Sequence, residues 1–239
     1  MTPSVYDVLL EVQDHDSAVD RLRHRRRSLP ELAELASVRD ELTVVERALA
    51  DVAGQREAVA AVQRRREDEL AQVESKIEGL ERRMYSGQVN VPRELQAMQA
   101  DVDALRRRRS SLEDEVLETM AEREPLDAEV ATLEQRRLRL NQRAAQLQDL
   151  VAGAQSEIDA DLDKEMAARE ISAAALPPDL FGKYEALRAK LDGVGAARLV
   201  NGRCGGCHLA LPATELDRIR REPPDTLIVC DQCGRILVR

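Results

Sequence analysis

From Leu35 to Met84, apolar side chains recur at alternating steps of three and four residues, and from Leu95 to Ile158 they do so again. The first series occupies 35, 38, 42, 45, 49, 52, 56, 59, 63, 66, 70, 73, 77, 80 and 84, and only Arg56, Gln63 and Arg66 in it are not apolar. The second occupies 95, 98, 102, 105, 109, 112, 116, 119, 123, 126, 130, 133, 137, 140, 144, 147, 151, 154 and 158, with Arg109, Thr119, Arg123 and Arg137 as its exceptions. A 3.5-residue period held this long defines a left-handed coiled-coil seam, because the stripe on a straight helix of 3.6 residues per turn would rotate out of line. Composition agrees: the 239 residues are 34% charged and 43% hydrophobic, with three tyrosines, one phenylalanine and no tryptophan, which argues against a single compact globule, a sandwich or a barrel.

Between the two seams, Tyr85-Ser86-Gly87-Gln88-Val89-Asn90-Val91-Pro92 interrupts any continuous helix. So short a turn implies antiparallel arms. Folding back about residue 89 pairs 84 with 95, 77 with 102, 49 with 130 and 35 with 144, so the seams stay in register. The same pairing sets Arg64, Arg65 and Arg66 level with Glu113, Asp114 and Glu115, and Arg106 to Arg109 near Glu67, Asp68 and Glu69. These arginine runs therefore read as cross-arm ion pairs rather than a nucleic-acid stripe. Arg56 and Arg123 fall in one layer, expected to be a wet, flexible defect or bend. Val62, Met120 and Leu150 read as shoulders beside the core.

Upstream, Val5, Val8, Val12, His15, Val19, Leu22, Arg26 and Leu29 carry a heptad pattern, which breaks near 28–30, where Ser28-Leu29-Pro30-Glu31 resembles a capping box. This first segment should fold against residues of roughly 150 to 172, with His15 as a polar rim residue and Arg21, Arg23, Arg25, Arg26 and Arg27 facing Glu157, Asp159, Asp161 and Asp163. Residues 1–192 are thus expected to form the helical hairpin, ending in a short helix from Asp179 to Leu191, and 193–239 a separate module after Gly193 and Gly195.

That module contains Cys204-Gly-Gly-Cys207 and, 22 residues later, Cys230-Asp-Gln-Cys233. Two C-x-x-C knuckles supply four thiolates, enough to close the tetrahedral shell of one structural Zn2+ with no place for water or substrate. A redox dithiol would need a βαβ context that is absent, and a disulfide scaffold would spread its cysteines more widely. After each knuckle, at His208 and Gly234, a backbone of positive φ would let amides turn toward sulfur. Ala197 to Val200, Leu227-Ile228-Val229 and Ile236-Leu237-Val238 read as short strands. Thr214 to Arg221 reads as a helical turn, with Thr214 capping, Leu216 and Ile219 inward, and Arg218, Arg220 and Arg221 outward. The architecture expected is mainly α, a long antiparallel coiled-coil hairpin followed by a small C-terminal zinc ribbon.

Pro178, Leu180, Tyr184 and Arg188, followed by the two knuckles, Leu211-Pro212 and the closing Gly234-Arg235-Ile236-Leu237, resemble a bacterial family of C4-type zinc-ribbon proteins with an N-terminal coiled-coil hairpin. That family includes flagellar and secretion-associated chaperones. The resemblance implies a four-cysteine zinc site and a nucleic-acid- or protein-binding adaptor. Family ribbons often end in aromatics, whereas this chain ends Leu237-Val238-Arg239.

Net charge is −9, so any polyanion contact must be local. Residues 196–239 carry seven basic and five acidic side chains, which makes the ribbon +2 against −11 for the rest. Arg203, Arg218, Arg220, Arg221 and Arg235 are accordingly the candidate nucleic-acid contacts of a ribbon carried on a hairpin, mainly to phosphates. A protein-binding adaptor or chaperone that uses the hairpin is the alternative. A polymerase-channel factor would need acidic residues in the hairpin turn, which has none before Glu94. With His15, His24 and His208 as the only histidines and no nucleophile motif or phosphate loop, the expectation is a non-enzymatic protein. The absence of an 18-residue apolar run and the clustering of cysteines lead to a cytoplasmic expectation with no membrane or small-molecule partner.

Overall fold

The computed structural model describes residues 4–87 and 89–239. Among them are α1 (Val5–Arg27), α2 (Pro30–Tyr85), α3 (Pro92–Ala174), α4 (Pro178–Lys190), β1 (Ala196–Val200), β2 (Arg203–Cys204), α5 (Ala213–Arg221), β3 (Ile228–Val229) and β4 (Ile236–Val238). The break near residue 28 and the turn at 86–91 fall where the sequence places them; Gln88 in that turn, and residues 1–3, lie outside the described residues. Two compact units result: Glu34–Gln146, and the described residues up to Ala33 together with Leu147–Arg239. Among the described residues no helix is long and apolar enough to cross a membrane.

The first unit is the coiled-coil hairpin of α2 and α3. Every seam position of α2 is buried or partly buried, and so is every one of α3 except Arg137, whose long side chain is left in water. Cross-arm ion pairs hold the register: Arg83 lies 3.3 Å from Glu94, Arg108 3.2 Å from Glu69, and Arg136 and Arg143 bind Glu41 and Glu34. All eight of these residues sit one position before an a-type seam residue, the flank that faces its counterpart in a coiled coil. Each exposed pair contributes about 0–1 kcal/mol, so they select orientation more than they stabilise.

The arginine runs are only partly cross-arm. Arg66 reaches Glu115 at 2.9 Å and Arg108 reaches Glu69, but Arg106 pairs with Glu81 at 2.6 Å. Arg64 stays on its own helix with Glu57, Arg109 with Glu113, and Arg65 donates to the Ala61 carbonyl. The reason is rotational: Arg64 and Arg65 follow the seam residue Gln63 by one and two positions and point away from the partner helix. At the Arg56–Arg123 layer the groups are paired. Arg123 Nη1 donates to Gln63 Oε1 at 2.8 Å, buried Gln63 donates to Glu67 at 2.7 Å, and Asp127 lies 3.2 Å from Arg123 and 3.8 Å from Arg56. Near this layer α3 runs through Pro125, which cannot donate to the Ala121 carbonyl.

In the second unit, α1 packs against the last turns of α3, as expected, and also against α4 and the sheet. Arg26 clasps Asp159 with bonds of 2.7 and 3.1 Å, and His15 Nδ1 lies 2.6 Å from Glu165, which makes His15 a paired rim residue. Of the other α1 arginines, Arg23 lies 3.9 Å from Asp20 and Arg27 donates to the Arg23 carbonyl, so among the described residues the anticipated facing of a whole cluster reduces to one pair. Ser28 donates to the His24 carbonyl at 2.9 Å, closing α1 rather than opening α2. The reciprocal capping box lies instead at Ser4 and Asp7, at the start of α1.

The sheet has the order β2-β1-β4-β3, with β1 and β4 parallel and the outer pairs antiparallel. Strand alternation splits its side chains between two cores. Ala196, Ile236 and Val238 meet Leu9, Leu10, Val12, Leu176 and Tyr184, while Ala197 and Leu237 join Cys204, Leu211, Ile219, Ile228 and Cys230. Buried Gln13 ties α1 to the entry of β1: its amide nitrogen donates to the Gly193 carbonyl at 3.0 Å, and its oxygen accepts from Gly195 at 2.7 Å and Ala196 at 3.2 Å. Gly195 is there for space, since a Cβ would sit 2.8 Å from the Tyr184 carbonyl and 2.9 Å from its ring. Gly195→Ala is expected to destabilise this unit by about 1–3 kcal/mol through overpacking, read as a lowered urea midpoint with zinc in excess.

Candidate metal centre and its surroundings

Cys204 ends β2, Cys207 follows it in the first knuckle, Cys230 follows β3 and Cys233 precedes β4, so the sheet brings both knuckles together. The four sulfurs lie within 4.8 Å of one another, and those of Cys204 and Cys233 are 3.9 Å apart. A tetrahedron with bonds of about 2.3 Å has edges of about 3.8 Å, so the spacing suits four bonds to a central ion and is far beyond a disulfide. Cys204 and Cys230 are buried and their partners half-buried.

The knuckle backbone has the anticipated form. His208 has φ 61° and Gly234 φ 79°, and their amides donate to the carbonyls of Cys204 and Cys230 at 2.8 and 2.7 Å. Amides of Gly206 and Cys207 point at the Cys204 sulfur, those of Gln232 and Cys233 at Cys230, and the Arg235 backbone and side chain donate to Cys233. Burial pushes the Cys204 thiol up, and pushes Cys230 up to about 12. Burial also raises Cys233, but hydrogen bonds from Arg235 together with the contacts to Cys230 and Cys207 outweigh it and bring that thiol down to about 7. Such donors are suited to charge on sulfur, which is what a bound Zn2+ enforces. With all four positions of the tetrahedron taken by thiolates, the ion is structural.

The proposed phosphate contacts are not gathered into one open face. Arg235 turns inward, donating to the carbonyls of Val194 at 2.9 Å and Leu191 at 3.0 Å. Arg218 is bound to Glu215, with Nε at 3.0 Å, and lies 3.9 Å from Asp231. Arg220 and Arg221 are outward as expected, but both approach Asp217, at 3.7 and 3.9 Å. Arg203 is exposed on the edge strand β2. Thr214 does not cap α5: Pro212 occupies the N-cap, with no side-chain cap hydrogen bond, and Thr214 is already helical. Leu216 and Ile219 do face inward. Arg239, which the sequence left without a role, closes the other end of α5 through the carbonyls of Ile219, Glu222 and Pro223 at 2.8, 2.9 and 2.6 Å.

A second polar cluster joins α1, α3 and α4. Asp16, 2% exposed, accepts from Tyr184 at 2.6 Å and from Arg169 at 2.7 Å, with Arg188 Nε 3.4 Å away. Arg188 also donates to Asp20 at 2.9 Å, Arg169 also binds Glu185, and the Arg169 guanidinium sits 5.6 Å over the Phe181 ring. Tyr184 and Arg188, part of the motif before the ribbon, are therefore fastenings of this unit.

Helical hairpin and closed four-thiolate centre together define a coiled-coil zinc-ribbon protein. The chain matches the CT398-like coiled coil hairpin domain over residues 12–192 and the C4-type zinc ribbon domain over 203–237, and it belongs to the CT398-like hairpin family. It is 33% identical to the uncharacterized protein Rv2229c of Mycobacterium tuberculosis, over 97% of this chain and 94% of that one. A solved structure from Mycobacterium smegmatis is similar over 100% of both chains, with 28% identity and a TM-score of 0.80. CT398 of Chlamydia trachomatis shares the fold at 20% identity and a TM-score of 0.68, over 98% of this chain and 97% of that one.

Proposed function

We propose that this chain is a non-enzymatic, cytoplasmic adaptor that binds other proteins through its helical hairpin, with the zinc ribbon fastening the second unit. The observation that supports this reading is the state of the ribbon's arginines. Arg235 is spent on carbonyls, and Arg218, Arg220 and Arg221 lie beside Glu215, Asp217 and Asp231. Four thiolates and one Zn2+ add about −2, which cancels the ribbon's small positive balance. Little remains to draw a polyanion, whose affinity grows with the number of phosphates neutralised. A cytoplasmic setting suits thiolates that must stay reduced. Chaperone-like service to a secretion or flagellar system, implied by the resemblance, is one form such an adaptor could take.

The test is binding of labelled single-stranded RNA and duplex DNA to the zinc-loaded full-length protein across a salt series. Weak binding at low salt, changed less than about threefold by replacing Arg218, Arg220 and Arg221 together with serine, is the expected result. Tight, salt-sensitive binding that this triple substitution removes would return the function to nucleic acid and the ribbon.

A further inference from the structure

We infer that one side of the coiled-coil hairpin, centred on a hollow between Lys76 and Asp101, is a docking surface for a second copy of this chain. The two hairpins lie parallel, with α2 of each over α3 of the other. Such self-association goes beyond the adaptor reading and does not depend on it.

Lys76 and Asp101 each sit one position before an a-type seam residue, like the members of the four cross-arm pairs that hold the register. The folding-back that matches Arg83 to Glu94 and Glu69 to Arg108 also matches Lys76 to Asp101. Those four pairs close and this fifth does not: among the described residues neither Lys76 nor Asp101 has an ion pair or hydrogen bond. They stand instead at a hollow of about 600 Å3 lined by the seam residues Leu80 and Leu105, with Gly79 and Ala104 beside them. Both charged side chains are exposed, and a Cβ added to Gly79 would meet nothing within 4 Å. Glycine is a poor helix former, so Gly79 in the interior of α2 weakens the helix and contributes nothing to the hairpin's own packing. Together with Ala104 it leaves a place where another helix can approach closely, because the distance between packed helices follows the size of the side chains at the contact.

The charges select the occupant. On this side, residues 62–83 of α2 carry Arg65, Lys76 and Arg83 against Glu69, and residues 94–115 of α3 carry Glu94, Asp101 and Glu115 against Arg108. The two strips are therefore +2 and −2, three charges of one sign less one of the other in each. A partner of one sign would be attracted by one strip and repelled by its neighbour. A second copy matches both: a two-fold axis parallel to the arms lays α2 of one copy over α3 of the other, so the unlike strips meet twice and Lys76 of each copy lies beside Asp101 of the other. A two-fold axis across the arms would lay α2 on α2, like strip on like.

The opposite side of the same stretch has carboxylates at 67, 74, 78, 81, 103 and 113 against only Arg64 and Arg106, so it would repel a copy of itself. The side with the hollow is also large enough. Its 22 residues of each arm, 62–83 and 94–115, rise about 33 Å, and two helices side by side span about 20 Å. Each copy then offers about 650 Å2, or about 1,300 Å2 for the pair, within the range of specific interfaces.

The experiment is sedimentation equilibrium of the zinc-loaded full-length protein from about 1 to about 300 µM, at low and high salt. It compares the parent, Lys76→Glu, Asp101→Lys, an equimolar mixture of these two variants, and Gly79→Leu, with circular dichroism to confirm that each variant keeps its helicity. The parent is expected to dimerise with a Kd on the order of tens of micromolar that weakens as salt rises. Each single reversal is expected to weaken the dimer about tenfold. The mixture should recover the parent's affinity to within about threefold, because the new carboxylate of one variant then faces the new ammonium of the other. Gly79→Leu should be monomeric throughout, with helicity at least equal to the parent's, since the leucine fills the hollow without touching its own hairpin. A parent that stays monomeric at about 300 µM would overturn the second copy as occupant. A dimer that none of the variants weakens would place the interface elsewhere and overturn the surface. Reversals that weaken the dimer without recovery in the mixture would overturn the pairing of α2 over α3.

Discussion

Removing zinc is expected to unfold the ribbon and leave Glu34–Gln146 helical. Apart from the five residues of β1, the ribbon's strands are two or three residues long, and residues 196–239 contain no aromatic side chain. Two of the ligands, Cys204 and Cys230, are themselves members of its inner core, so the metal holds together what the apolar side chains are too few to hold. Structural zinc supplies about 10–16 kcal/mol of apparent binding free energy at neutral pH in comparable small modules, more than the net stability of most domains. The loss should spread to α1, because Ala196, Ile236 and Val238 complete the core under Leu9, Leu10 and Val12. It should stop short of the hairpin unit, which contains no cysteine and has its own seam. The measurement is an amide correlation spectrum before and after chelation, with metal content assayed on the same sample. Dispersed ribbon resonances should collapse while the helical signal in circular dichroism falls only modestly. Intact dispersion at zero zinc would show that the ribbon folds without its metal and would overturn the prediction.

The hairpin was legible because one period repeats along both arms: burial follows it at every seam position but Arg137. Four of its cross-arm ion pairs were legible too, though by a rule the simple level-matching of arginine runs does not use, while Arg66–Glu115 and Arg106–Glu81 fall outside that rule. Glu34, Glu41, Glu69 and Glu94 precede α2 or α3 seam residues by one, as do Arg143, Arg136, Arg108 and Arg83, and that flank position predicts each pair. The zinc ligands were legible because C-x-x-C spacing is a local constraint. What was hidden is the way the second unit closes. Gln13 reaches Gly195 across 182 residues of chain and Asp16 reaches Tyr184 across 168, and neither distance leaves a periodic mark. Gln13 and Asp16 lie beside Val12 and His15 of the α1 pattern, where a polar residue next to a seam reads as surface. Arg235 was misleading for a related reason: an arginine that satisfies backbone carbonyls looks, in sequence, like one that waits for a phosphate.

Asp16→Ala is expected to destabilise the second unit by about 3–5 kcal/mol, the usual cost of removing one partner from a buried charge cluster. Among the described residues, this carboxylate is the one anion in direct contact with Tyr184, Arg169 and Arg188 at once. Without it the Tyr184 hydroxyl loses its acceptor, and two guanidiniums keep only their outer partners, Glu185 and Asp20. Asp16→Asn retains an acceptor for the phenol but no charge, so its cost should fall between those of Asp16→Ala and the parent. Burial, followed by the bond to Asp16, also raises the Tyr184 phenol above its ordinary value of 10.0. A group whose folded pKa is raised contributes stability that is whole below its unfolded pKa and is lost as pH rises through the folded one. The parent should therefore lose stability above about pH 10 in this unit, and Asp16→Ala should show a shallower alkaline loss because part of the cause is gone. Urea unfolding with zinc in excess, at neutral and alkaline pH, separates these effects. A neutral-pH difference below about 1 kcal/mol would mean that solvent reaches the cluster and replaces the carboxylate, and the assignment of Asp16 as the fastening of α1 to α3 and α4 would fall.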